Sequence, residues 1–152
     1  MPSAATTLSA EQQEAWFALL HARSSLTAQI DSVLMERHRI SFSSFEILCR
    51  LKEQEPQSLR TLASQLVSVS PTRASRLVQE LIDAGRLRRD ADQGDGRVSL
   101  ISLTPEGRKW TEKAIRTFEA AVITYFVDPL DDDDIAALAR IWSKLQAAQT
   151  QA

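Results

Sequence analysis

One cysteine, Cys49, stands among 152 residues. No disulfide can therefore close within the chain, and a lone thiol suits a reducing compartment. No apolar run approaches the roughly 20 residues that cross a bilayer. The N-terminus is polar and lacks a basic stretch followed by an apolar one, so no secretory leader is expected and the expected location is cytoplasmic. Neither sign of charge dominates: 18 Lys and Arg face 20 Asp and Glu, a net charge of −2. Histidine is scarce too. His21 and His38 lie 17 positions apart on or near one helix, about 25 Å of rise, and cannot meet within a subunit. No G-x-S-x-G, H-E-x-x-H or P-loop motif occurs. The four aspartates Asp131 to Asp134 lack the glycine and closing glutamate of a calcium loop and precede an apolar helix, so they read as a helix start. The expectation is a protein that is not an enzyme, with no cofactor and no metal site. Its length allows one domain, or one domain with a dimerisation extension, and a core that needs no staples.

What the chain does have is concentrated between Ser58 and Thr104. Leu59, Leu62, Ala63 and Leu66 share one helical face, and Ser58 precedes them as an N-cap. A second helix opens at Ser70-Pro71, an N-cap followed by proline at the first helical position, where its missing N–H costs nothing. Ala74, Leu77, Val78, Leu81 and Ile82 form its inner stripe, and Gly85 ends it as a left-handed cap. Ser70, Thr72, Arg73, Ser75 and Arg76 crowd its outer face over the first two turns. Free N–H groups and positive dipole charge at a helix start suit phosphate, and arginines one turn in can reach guanine O6 and N7. The competing reading of this surface is a solvated face with ordinary arginines.

Two strand-like runs follow, Arg86 to Asp90 and Arg97 to Thr104, around the loop Ala91-Asp92-Gln93-Gly94-Asp95-Gly96. Val98, Leu100 and Ser102 share one face of the second run, and Ser99, Ile101 and Leu103 the other. Helix, turn, helix and hairpin in this order form a winged helix-turn-helix, a device that reads duplex DNA. Arg97, just past the tip, can enter a minor groove. Asp95, two positions earlier, can hold the Arg97 guanidinium by a charge-assisted pair, or serve only as a turn former.

The ends read as helices. Ser9-Ala10-Glu11-Gln12 is a capping-box pattern opening a helix from Glu11 to about Arg37, with Trp16, Leu19, Leu20, Leu26, Ile30, Val33 and Leu34 at helical spacing. Ser43-Ser44-Phe45-Glu46 is a second capping box, and its helix turns Phe45, Leu48, Cys49 and Leu51 toward the core and ends near Glu53. Thr104-Pro105 opens a helix with Trp110, Ala114, Phe118, Ala121, Val122 and Tyr125 along one side, stopped by Asp128-Pro129. Ile135, Leu138, Ala139, Ile141, Trp142 and Leu145 form the apolar side of the last helix. Both end helices carry more apolar surface than one small winged domain can cover. The expected assembly is a homodimer whose two reading helices sit one helical turn apart on a pseudo-palindromic operator. The fold class is mainly α with a small β-hairpin wing: a winged helix-turn-helix core plus N- and C-terminal dimerisation helices. The expected organisation is an N-terminal dimerisation region over 1–40, a DNA-binding core over 41–109 and C-terminal dimerisation helices over 110–152. Charge is uneven along the chain. Residues 60–109 carry nine Lys and Arg against six Asp and Glu, and the remainder nine against fourteen. The positive field thus leaves through the core.

The run from Leu62 to Arg108 resembles the DNA-binding core of the MarR family of bacterial transcription factors. The resemblance is carried by S-x-x-x-x-x-R-L-V-x-x-L from Ser70, by Asp95-Gly96-Arg97 in the wing, and by Leu103-Thr104-Pro105-Glu106-Gly107 after it. Pro71 and Gly96 depart from it, since members often carry a polar or basic residue at the first position and arginine at the second. The resemblance implies a dimer formed through the first and last helices. It also implies small aromatic ligands bound between those helices and the winged domain, for which Trp16, His21, Arg23, His38, Phe42, Phe45 and Trp110 are the candidates. An aromatic wall with a few cations suits an anionic aromatic ligand. Members that sense oxidants carry their cysteine in the first helix, which has none here. Cys49, on an apolar stripe, is expected to be a buried structural thiol. The expected function is a sequence-specific double-stranded DNA-binding regulator, a repressor released by a small aromatic or anionic effector, with no membrane association. The alternative is a winged-helix module that binds protein without specific DNA binding, since fold does not fix function.

Overall fold

The computed structural model describes residues 7–150. The first six positions of the polar N-terminal end, read above as carrying no leader, lie outside the described residues. Helix α1 spans Ala10–His38, α2 Phe42–Glu53, α3 Leu59–Gln65, α4 Pro71–Asp83, α5 Pro105–Val122 and α6 Asp132–Thr150. Strand β1 is Gln57–Ser58, β2 Leu87–Ala91 and β3 Ser99–Leu103. The strands form one antiparallel sheet in the order β1-β3-β2, with Gln57 opposite Ile101 and Leu87 opposite Leu103. The expected hairpin is therefore present and gains a short third strand.

Capping chemistry sets most of the boundaries. Ser9 and Gln12 form a complete capping box at α1. Ser58 accepts from Thr61 N at α3, Ser70 from Arg73 N at α4, and Thr104 from Gly107 N at α5. Asp131 and Asp134 cap α6 reciprocally: Asp131 Oδ1 accepts from Asp134 N at 2.8 Å and Asp134 Oδ2 from Asp131 N at 3.2 Å. The aspartate run thus works as a helix start, and among the described residues no group of three His, Cys, Asp or Glu could hold a metal. At α2 the expectation is corrected. The N-cap is Ser41, accepting from Ser44 N, and not Ser43. Glu46 is consequently not the capping partner and is free to act elsewhere.

The core joins the end of α1, α2, α3, α4, the sheet and α5. Leu48, Leu51, Leu62, Val78 and Ile101 are fully buried, and Leu77, Leu81, Leu87 and Leu103 nearly so. On α4 the expected stripe is the one buried, with Ile82 at its half-buried edge. On α1 only Ile30 and Leu34 are buried. Trp16, Leu19 and Leu20 on its first half remain uncovered by this chain, as do Leu138, Ile141, Trp142 and Leu145 on α6. The reason is connectivity: α5 returns along α1, whereas α6 makes at most marginal contact with the other elements. Between α5 and α6 the chain winds through a π-helical turn, Ile123–Val127, closed by Asp128 N donating to Ile123 O at 2.8 Å. Among the described residues no helix is long and apolar enough to cross a membrane.

Candidate nucleic-acid interface and the adjoining groove

The outer face of α4 is open. Ser70, Thr72, Arg73, Ser75 and Arg76 are all exposed, because the inner stripe of Ala74, Leu77, Val78 and Leu81 consumes the opposite side of the helix. Arg76 lies 3.9 Å from Glu80, with both side chains mostly exposed. Such an i,i+4 surface pair is weak and leaves the guanidinium available. Ser70 Oγ caps the helix through Arg73 N at 3.4 Å, and its hydroxyl hydrogen remains free to donate.

Both ends of α4 are fixed. At its C-terminus Gly85 takes φ +73°. Arg86 N then donates to Leu81 O and Gly85 N to Ile82 O, each at 2.9 Å, the two bonds of a Schellman cap. The chain passes directly into β2, so α4 and the wing share one joint. That joint is closed from the far side by α5. Thr104 N donates to Arg86 O at 3.1 Å and Thr104 Oγ1 to Gly85 O at 2.7 Å. Gly107 lies so near that a Cβ there would sit 2.0 Å from Arg86 O. The glycine two residues after Pro105 therefore serves close backbone approach. Glu55 braces the same region, accepting from Leu103 N at 2.8 Å and pairing with Arg108.

The wing tip runs from Asp92 to Val98 and is closed by Asp92 N donating to Val98 O at 2.8 Å. Arg97 is exposed, and its side chain forms no ion pair among the described residues. The suggested guanidinium pair with Asp95 is corrected. Asp95 Oδ1 instead accepts the backbone N–H of Arg97 at 3.0 Å, and Asp95 O accepts from Val98 N at 2.9 Å. Asp95 shapes the turn, a local bond that a short carboxylate makes readily, and leaves the arginine side chain loose. Arg88, Arg89, Arg108 and Lys109 add basic side chains on and beside the wing, with Arg88 paired to Asp90 at 3.2 Å.

A groove of about 970 Å³ opens between α1, α2, α5 and the turn after α3. Of the seven proposed pocket residues, Arg23, Phe42 and Phe45 line it, joined by Cys49 and Phe118. The Phe45 and Phe118 rings lie 5.0 Å apart. Trp16, His21, His38 and Trp110 do not line it. Trp16 and His21 are exposed on the first half of α1. His38 and Trp110 form a separate cluster, edge to face at 5.7 Å. There His38 Nε2 lies 2.7 Å from Thr117 Oγ1 and the Arg86 guanidinium sits 4.6 Å over the Trp110 ring. Spacing along a helix identifies a face but not which cavity that face meets. Burial, with the Arg37 and Lys113 charges, holds the His38 imidazole below its ordinary 6.5. Cys49 is half-buried at the groove wall. Burial, reinforced by Glu53, pushes its thiol up to about 11, which keeps it protonated near neutrality.

A fully helical body, a three-stranded sheet whose last two strands form a hairpin, and an open cationic helix between them define a winged helix-turn-helix protein. Residues 40–99 match the MarR family model. Among curated proteins no sequence matches. Solved structures share the fold over nearly the whole chain. AbsC, a MarR family transcriptional regulator from Streptomyces coelicolor, superimposes with a TM-score of 0.83 at 24% identity, covering 96% of this chain and 99% of its own. Sco3205 from the same organism, solved in complex with DNA, gives 0.84 at 23% identity over 93% of this chain and 89% of its own. BpsR from Bordetella bronchiseptica, whose DNA binding is regulated by 6-hydroxynicotinic acid, gives 0.75 at 21% identity over 86% and 91%.

Proposed function

We propose that this protein is a sequence-specific double-stranded DNA-binding transcriptional regulator that acts as a homodimeric repressor and is released by a small aromatic, anionic effector. One observation carries the DNA reading: the hydroxyl and arginine side chains of α4, Ser70 to Arg76, stand uncovered beside a wing that ends in the exposed Arg97. In this reading α4 enters the major groove, where Arg73 and Arg76 read base edges while Ser70, Thr72 and Ser75 hold phosphates. Arg97 enters the adjoining minor groove. The uncovered apolar faces of α1 and α6 support a dimer, which would set two reading helices one turn of duplex apart. Occupying a promoter then blocks transcription sterically.

The groove supports the effector. Of its charged wall residues, Asp31 accepts from Phe42 N, Glu46 accepts from the turn after α3, and Arg50 pairs with Glu53. Arg23, Lys52 and Glu119 form no ion pair among the described residues, leaving two cations against one carboxylate around Phe42, Phe45 and Phe118. Such a wall suits an aromatic acid, the chemical class of the BpsR regulator. An effector that prefers a dimer with wrongly spaced reading helices lowers operator affinity by that preference and no more. The test is a gel shift with the protein's own upstream DNA, repeated with aromatic acids. A shift relieved by one of them is the expected result. Failure to shift that DNA at low salt in preference to unrelated duplex would defeat the DNA reading.

A further inference from the structure

The backbone between α3 and α4 leaves the helical hydrogen-bond pattern, and Val67 there is 74% exposed. Its amides are nonetheless satisfied from a distance. Val67 N donates to Glu46 Oε1 at 2.9 Å, and Ser68 N donates to Glu46 Oε2 at 3.1 Å. Ser68 Oγ donates to the same Oε2 at 2.5 Å. Glu46 belongs to α2, 21 residues before Val67, and α2 is anchored on both sides of it by Phe45, Ile47 and Leu48, all buried. Two residues after Ser68, Ser70 caps α4. A side chain rooted in the core thus grips the last stretch of backbone before the reading helix, through three donors on one carboxylate.

We propose that Glu46 is the positioning residue of the reading helix: it fixes the α3–α4 turn and thereby the angle at which α4 meets a duplex. The proposal rests on the DNA reading above. Charge-assisted bonds to two successive amides are short and directional, so they restrict the turn more than neutral contacts would. Among the described residues no other acceptor reaches these two amides, since the helical bonds of α3 end with Leu66 N to Ala63 O and those of α4 begin at Ala74 N to Ser70 O. Loosening the grip would misalign Arg73 and Arg76 relative to base edges, where geometry is strict. Phosphate contacts tolerate the same displacement. The signature is therefore a loss of discrimination and not of general DNA affinity.

The experiment compares the full-length wild type with Glu46→Gln, Glu46→Asp and Ser68→Ala. Glu46→Gln retains the shape but offers one acceptor and sets an N–H donor against donors. It should lower operator affinity about tenfold while changing affinity for an unrelated duplex by less than about twofold. Hydrogen exchange at Val67 and Ser68 should speed up with the thermal midpoint nearly unchanged. Glu46→Asp keeps the charge and should recover part of the loss. Ser68→Ala removes one donor of three and should show a smaller loss in the same direction; it carries the test if Glu46→Gln does not fold. Wild-type operator affinity in both Glu46→Gln and Ser68→Ala would overturn the proposal, as would equal losses on operator and unrelated DNA. A wild type that does not discriminate between the two duplexes would instead defeat the DNA reading itself, before any variant is made.

Discussion

Three of the chain's glycines should respond to the same substitution in three different ways. At Gly107 an added Cβ would lie 2.0 Å from Arg86 O, 2.8 Å from its carbonyl carbon and 3.1 Å from its Cα. All three are backbone atoms, so no rotamer change relieves the contact. Reaching ordinary contact at 3.4 Å means moving α5 from β2 by up to 1.4 Å, the difference between 3.4 and 2.0 Å. The bond from Thr104 N to Arg86 O, now 3.1 Å, would then be lost or badly stretched. Overpacking costs about 1–3 kcal/mol and the hydrogen bond about 1 kcal/mol more, while alanine regains at most about 1 kcal/mol of helix propensity. Gly107→Ala should therefore destabilise by about 1–4 kcal/mol, roughly 2–16 °C in Tm for a chain of this size. At Gly85 there is space but φ is +73°, so Gly85→Ala should cost about 1 kcal/mol through backbone strain alone. At Gly96 there is neither a neighbour within 4 Å nor a positive φ, and Gly96→Ala should lie within about 0.5 kcal/mol of wild type. Urea unfolding followed by tryptophan fluorescence, at one fixed protein concentration, measures all three. A Gly107→Ala protein as stable as Gly96→Ala would refute the reasoning about the α5–β2 joint.

Four further outcomes are expected. Arg76→Ala should weaken operator binding by about 1–3 kcal/mol and relax sequence preference, as read by competition binding; an unchanged preference would remove Arg76 as a base reader. Arg97→Ala should weaken binding and flatten the dependence of log K on log salt by about one unit, and a wild-type slope would refute the wing contact. Trp142 is 55% exposed on α6, and Trp142→Glu should shift the protein toward monomer in sedimentation, whereas an unaltered dimer would place the interface elsewhere. His38 is held below 6.5 in the fold, so the unfolded chain takes up its proton first as pH falls. Stability should then drop as pH falls through about 6.5, and His38→Gln should flatten that part of the Tm profile; parallel profiles would contradict it.

The parts legible in the sequence are those governed by local chemistry. Ser70-Pro71 opens α4, Gly85 closes it, and Thr104-Pro105 and the Asp131–Asp134 box open α5 and α6, because caps act within four residues. The apolar stripe of α4 follows from its period alone. What escaped depends on partners far along the chain. Strand β1 has two residues, too few to show alternation. Ser41 and Ser43 are both acceptable caps by residue type; Ser41 is the one that accepts from Ser44 N, and Glu46 finds its donors at Val67 and Ser68. Of the two readings open for Asp95, a partner for the Arg97 guanidinium or a turn former, it is the turn former, bonded to a backbone amide closer at hand. Of the aromatics placed on helix faces, Phe42 and Phe45 reach the groove while Trp110 faces His38 and Arg86. Assigning them required the packing of α5, which no spacing encodes. The Ile123–Val127 π-helical turn left no mark in composition.

The most direct measurement is a competition titration of the wild-type protein on its upstream duplex, with stoichiometry determined at saturation. The expected result is two chains per site and a preference over unrelated duplex of at least about a thousandfold at physiological salt, abolished when Arg73 and Arg76 are both alanine. Equal affinity for both duplexes, or full preference retained by the double variant, would contradict the assignment of α4 as the reading helix.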